Sequence, residues 1–137
     1  MIYHSVRTDG DGLGNDFVSG SFRDLGAAVL KAVRLCEERG LKKFDTIVVQ
    51  GTSGMAIGFP LAVALGKDIA VLRKADDNSC HGTAGELIGR GQVKGKRCLF
   101  VDDFVSMGRT RTRVREAVEG AGGRLVAQCT NDGYETL

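Results

Sequence analysis

The chain has 137 residues, 42% hydrophobic and 26% charged, which excludes a disordered or low-complexity protein and suffices for one domain with its own core. Nineteen Lys and Arg against seventeen Asp and Glu leave a net charge of +2, which gives no general case for nucleic-acid or membrane binding. Glycine stands out at 20 residues, about twice its usual ~7% share, and the single proline excludes a Pro-rich linker.

No run approaches the ~20 apolar residues of a membrane span, and the start, MIYHSVRTDGDG, lacks the apolar centre of a signal peptide. Cys36, Cys80, Cys98 and Cys129 are far apart with no CxxC pair, so reduced thiols and a soluble, cytoplasmic protein are expected. A single domain over 1–137 is expected, with 1–20 as a polar arm. Asp9, Asp11 and Gly14 loosely echo a calcium loop, but Leu13 stands where a ligand is needed and position twelve is Gly20, so a turn is the better reading.

In chain order, Ser21 caps a helix with Asp24 three residues on, and Phe22, Leu25, Val29, Ala32, Val33 and Cys36 share one face. Gly40 is its natural stop. Thr46–Val49 reads as a strand buried on both faces, Gly51–Gly58 as a loop, and Pro60–Leu65 as a helix with Pro60 in its first turn. Asp68–Leu72 is a second strand, and residues 73–95 read as a long polar, glycine-dotted stretch. Cys98–Val101 is a third strand, a helix runs from about Thr110 to Glu119, and Leu125–Thr130 is a fourth strand. The alternation predicts an α/β fold, a parallel β-sheet flanked by helices, with ligands held where the carboxyl ends of strands meet the loops that follow.

The third strand runs straight into Asp102-Asp103-Phe-Val-Ser106-Met107-Gly108-Arg109-Thr110. Two carboxylates at a strand end are acceptors for the two hydroxyls of a ribose. The turn after them presents unpartnered backbone N–H groups at the positive end of a helix, where a phosphate fits, with Ser106 and Thr110 as further donors. An acidic surface turn that merely caps the helix is the plainer alternative.

This pattern resembles the phosphoribosyl-pyrophosphate (PRPP) loop of the type I phosphoribosyltransferases, and the stretch from about 45 to 132 is similar in pattern to the orotate enzymes. The resemblance implies that Asp102 and Asp103 hold the ribose diol, and that Ser106, Met107, Gly108, Arg109 and Thr110 wrap the 5′-phosphate. Met107 and Arg109 replace residues that are usually small. Gln50-Gly-Thr-Ser-Gly54, which lacks the Gly-Lys-Ser/Thr ending of a P-loop, becomes the pyrophosphate loop, acting through Thr52, Ser53 and Gly54. Arg73, Lys74 and His81 are implied to neutralise the leaving pyrophosphate, so that Lys74, His81 and Asp103 are the candidate catalytic residues. His81-Gly82 and Gly85-Glu-Leu-Ile-Gly89 match the family's returning segment. Ser79 stands where the loop lysine is expected, Asp76 and Asp77 add negative charge, and no lysine lies around Met55.

Tyr134 falls where the orotate enzymes carry a base-recognising arginine, and is the candidate for stacking on a base, with a frayed tail as the alternative. Residues 1–20 show no counterpart of the family's N-terminal hood, so a minimal or missing hood is expected. The resemblance further implies Mg2+ held mainly by PRPP, PRPP and a nucleobase as partners, and a homodimer. The function implied is PRPP-dependent transfer of a phosphoribosyl group to a nucleobase. The rival is a PRPP- or nucleotide-binding regulatory module that has lost the chemistry, and a nucleotide hydrolase is a third reading.

Overall fold

A computed structural model describes residues 22–73, 86–102 and 109–137. Helix α1 (Phe22–Arg39) ends at Gly40, whose amide donates to the Cys36 carbonyl at 3.0 Å. Its inward face is Ala28, Ala32 and Cys36, all buried, flanked by half-buried Leu25, Val29 and Val33. Strand β1 (Thr46–Gln50) is buried at every position, as the continuous β-branched run requires.

From Gln50 the chain enters helix α2 (Gly51–Leu65) directly, through Gly51 at φ +75°. The expected loop over Gly51–Gly58 is therefore helix, and Pro60 lies in the helix interior rather than in its first turn. The glycines that suggest a loop have another purpose. A Cβ on Gly58 would lie 2.3 Å from Val49 Cγ1, so Gly58 lets the helix sit directly on β1. Pro60 is on the exposed side of α2, where water reaches the carbonyl its missing N–H leaves free.

Strand β2 (Asp68–Leu72) follows, and then β3 (Leu87–Ile88) and the one-turn helix α3 (Arg90–Val93), two elements inside the stretch read as irregular. Buried Leu87 and Val93 anchor them. Strand β4 (Arg97–Val101), helix α4 (Arg109–Gly120) and strand β5 (Arg124–Thr130) lie within a residue or so of expectation. A further strand, β6 (Gly133–Thr136), returns antiparallel to β5 after the Asn131-Asp132 turn. The frayed-tail alternative for Tyr134 is thereby excluded.

The six strands run in the order β3-β2-β1-β4-β5-β6. The inner four are parallel, and the edge strands β3 and β6 are antiparallel to their neighbours. One core, between the sheet and α1 and α2, contains Cys36, Phe44, Ile47, Val49, Leu61 and Leu99. The other, under α3 and α4, contains Val48, Leu72, Val93, Phe100, Val114 and Val118. Odd and even positions of β1 thus feed opposite cores, giving three layers, helix, sheet and helix.

Candidate functional site

Among the parallel strands the order β2-β1-β4-β5 reverses between β1 and β4, and such a reversal opens a crevice at the carboxyl ends of the two strands. Register fixes what stands there. Val49 pairs with Val101, so Gln50 and Asp102 leave the sheet side by side. Gln50 pairs with Leu72, which places Arg73 beside Gly51. Val101 pairs with Cys129, and the Asp102 amide donates to the Cys129 carbonyl at 3.1 Å, which brings Thr130 alongside. Arg73, the start of α2, Asp102 and Thr130 therefore form one row across four strands.

Thr52, Ser53 and Gly54 occupy the first turn of α2, where backbone N–H groups have no partner within the helix and the dipole is positive. Gly54 faces the Asp102 side of the crevice: a Cβ on it would lie 3.4 Å from the Val101 carbonyl and 3.7 Å from Asp102 Oδ1. Arg73 is buried, and its amide donates to the Glu86 carbonyl at 3.0 Å, which ties the cation's backbone to the entry of β3. Half-buried Thr110 lies in the first turn of α4, opened by Arg109. Lys74, His81, Asp103, Ser106, Met107 and Gly108 lie outside the described residues, as do residues 1–20, the Ser21 cap, Asp76, Asp77, Ser79 and Cys80.

Tyr134 is not brought into this row. It is 7% exposed on β6, within the core that contains Cys36 and Cys129, with the Arg39 guanidinium 5.7 Å from its ring centre. Burial raises its hydroxyl pKa above the ordinary value. The ring is thus packed in the core, apart from the row of strand ends.

Two residues that the sequence reading passes over do reach the crevice. Lys31, on α1 between inward-facing Ala28 and Ala32, donates from Nζ to the Asn131 carbonyl at 2.6 Å. A cavity of about 10 Å3, enough for one water, lies between them, and Ile57, Asp102 and Thr130 also line it. Asn131 Oδ1 is buried with no hydrogen-bond partner among the described residues. The available signals were a cation beside the apolar stripe of a helix and a polar residue immediately after a parallel strand.

Cys129 closes the apolar side of this cavity, and a hydrogen bond with it, together with burial, pushes the Cys36 thiol well above its ordinary pKa. Cys36 therefore stays protonated at neutral pH, the same hydrogen bond lowers the pKa of Cys129, and both side chains lie in the core. The site as described brings the first amides of α2, the Lys31 ammonium and the Asp102 carboxylate to one crevice, with Arg73 at the neighbouring strand end. That set is suited to a ligand with both anionic and hydroxyl groups.

No family model matches the chain. An adenine phosphoribosyltransferase from Agathobacter rectalis is 30% identical over 123 residues, which cover 77% of this chain and 71% of that protein. The transcriptional regulator GfcR of Methanococcoides burtonii is 33% identical over 92 residues, covering 66% of this chain but only 45% of the regulator. Among solved structures, adenine phosphoribosyltransferase from Thermoanaerobacter pseudethanolicus matches 79% of this chain and 68% of its own, with a TM-score of 0.64 and 26% identity.

Proposed function

This chain belongs to the phosphoribosyltransferase family, and we propose that it moves a 5-phosphoribosyl group from PRPP to a nucleobase with release of pyrophosphate. The observation that supports this reading is the register that sets Arg73, the first turn of α2 and Asp102 in one row at the β1/β4 reversal. In this reading the amides of Thr52, Ser53 and Gly54, with Arg73, take the pyrophosphate. Asp102 and Asp103 take the ribose hydroxyls, and the segment from Ser106 to Thr110 takes the 5′-phosphate. Lys74 and His81 join the pyrophosphate side by resemblance.

The chemistry asked of these groups is positioning and charge stabilisation. As the bond from ribose C1 to pyrophosphate lengthens, the ring becomes cationic and the leaving group gathers negative charge. Donors already aimed at that group stabilise it without reorganising. A ring nitrogen of the base then attacks C1 from the opposite face.

Magnesium, when bound, would neutralise pyrophosphate oxygens. Asp102 is the carboxylate described at the strand ends, and no cluster of three ligating side chains is found among the described residues. That donor set fits a cation held mainly by the oxygens of the substrate. Among the described residues no helix is long and apolar enough to cross a membrane.

The similarity to GfcR favours a second reading, a PRPP- or nucleotide-binding regulatory module of the same fold. Pyrophosphate release from PRPP and magnesium, measured with a panel of purine and pyrimidine bases, separates the readings. Release that requires a particular base supports the transferase. Tight PRPP binding without turnover for any base supports the regulatory module, and release without a base indicates hydrolysis.

A further inference from the structure

Helix α1 lies across the β5–β6 hairpin and is pinned to it at two points. The Lys31 ammonium donates to the Asn131 carbonyl at 2.6 Å, and the Arg39 guanidinium to the Tyr134 carbonyl at 3.4 Å. The inward row Ala28, Ala32 and Cys36 repeats every fourth residue, so Cys36 is pressed onto the sheet between the two pins and is 0% exposed. Cys129 of β5, 1% exposed, pairs with Tyr134 of β6 in the same core. Two thiols far apart in sequence thus meet in hydrogen-bond contact.

Neither thiol has a part in the proposed transfer chemistry. Cys129 nevertheless stands on the wall of a cavity that Lys31, Asp102 and Thr130 also line, a space of about 10 Å3 shared with the crevice. From this arrangement we infer that Cys36 and Cys129 are a redox pair, which hydrogen peroxide entering from the crevice converts to a disulfide between α1 and β5. The inference goes beyond the proposed chemistry and does not depend on which ligand the crevice takes. Its consequence is local. The Cys129 carbonyl accepts the Asp102 amide at 3.1 Å, so the bridge clamps α1 to the strand that positions Asp102.

Cys129 is the attacking sulfur. The hydrogen bond from Cys36 lowers its pKa, and the Lys31 ammonium lowers it further, against the opposing effect of burial. Its sulfur attacks one peroxide oxygen and the O–O bond breaks. The departing hydroxide takes the thiol proton and leaves as water, and Cys129 becomes a sulfenic acid. The Lys31 ammonium on the same cavity wall stabilises that hydroxide as it forms. The Cys36 sulfur then attacks the Cys129 sulfur, the S–O bond breaks, and a second hydroxide leaves as water with the Cys36 proton. The two sulfurs lose two electrons and the peroxide gains them. Cys98 is the internal control. It is equally buried but in the opposite core, burial raises its pKa to about 11, and its Sγ lies 3.8 Å from the Lys96 carbonyl.

Peptide mapping of the full chain after hydrogen peroxide tests it. Reduced protein is treated at neutral pH, then unfolded and alkylated without reductant. The expected product links the Cys36 and Cys129 peptides, leaves Cys98 alkylated and is reversed by dithiothreitol. In Cys36→Ala no bridge can form, so dimedone should trap a sulfenic acid on Cys129; in Cys129→Ala it should find none on Cys36. Lys31→Met should slow oxidation roughly 10-fold, because loss of the neighbouring positive charge reduces the thiolate fraction, and Lys31→Arg should keep the wild-type rate. The bridge should also raise the urea midpoint, since it closes a long loop. The wild-type map reads the pairing without any substitution. Cys36 and Cys129 still open to alkylation after peroxide overturn the inference. So do a bridge to Cys80 in place of this pair, oxidation of Cys98 at the same rate, or a bridge that lowers the urea midpoint.

Discussion

The two ends of the parallel sheet are built differently. At the amino ends, side chains and backbone fasten neighbouring elements. The Arg97 guanidinium grips Asp45 through Nη2 at 3.1 Å and Nε at 3.2 Å, and the Asp45 amide donates to the Arg97 carbonyl at 2.8 Å. The Thr46 hydroxyl donates to the Gln92 carbonyl, Lys67 Nζ to the Leu41 and Phe44 carbonyls, and the Gly95 amide to the Gly122 carbonyl at 2.8 Å. At the carboxyl ends the first amides of α2, Asp102 and Asn131 surround a crevice. Lys31 is the latch there, from α1 to the end of β5. The amino ends fasten neighbouring elements to one another and the carboxyl ends line the crevice, so changes at the two ends should affect different measurements.

The largest expected effect is at the carboxyl end. Asp102→Asn combined with Asp103→Asn removes two charged acceptors, each worth about 1.5–3 kcal/mol to a hydroxyl donor. PRPP affinity by calorimetry should therefore fall by a factor on the order of 100 or more, while the melting temperature stays near the wild-type value. Unchanged affinity would remove the ribose assignment, and a large fall in melting temperature would show that this end also bears stability.

The converse test is Gly123→Ala at the amino end of β5. The new Cβ would lie 2.5 Å from the Val93 carbonyl oxygen and 2.6 Å from Val93 Cγ1, so backbone must move. Overpacking of this kind costs about 1–3 kcal/mol, which urea unfolding would read directly. PRPP affinity should be unaffected. Loss of binding without loss of stability would break the division between the two ends.

Much of this division is legible in the sequence, and the exceptions share a cause. Apolar runs such as Thr46–Val49 and Cys98–Val101 declare buried parallel strands locally, and the acids after Val101 mark the strand end where ligands sit. The first half of α2 is not legible, because Gly54 and Gly58 have the same local signature whether they permit a turn or a close helix–sheet contact; only the packing against Val49 and Val101 decides which. Strand β3 is two residues long, too short for any period to show. Lys31 and Asn131 meet across 100 residues of sequence, so neither announces the other. Tyr134 misleads for the opposite reason: its place after β5 suggests a ligand contact, but β6 folds its ring into the core.

The smallest expected effect belongs to Asp45 and Arg97, both substantially exposed, with side chains 37% and 49% accessible. The side-chain hydrogen bonds from Arg97 lower the Asp45 pKa from its ordinary value to about 2. The unfolded chain therefore binds this proton more readily, and the pair's contribution is complete above about pH 4. It should decline as pH falls through the folded-state value and vanish below it. Exposed pairs contribute little, because solvent and salt screen them, so Asp45→Asn should destabilise less than Gly123→Ala. Urea unfolding of both proteins at pH 6, 3 and 2 should show the difference shrinking in that order, and raised salt should shrink it further at pH 6. A difference that persists undiminished at pH 2 would mean that the carboxylate's charge is not what fastens β1 to β4.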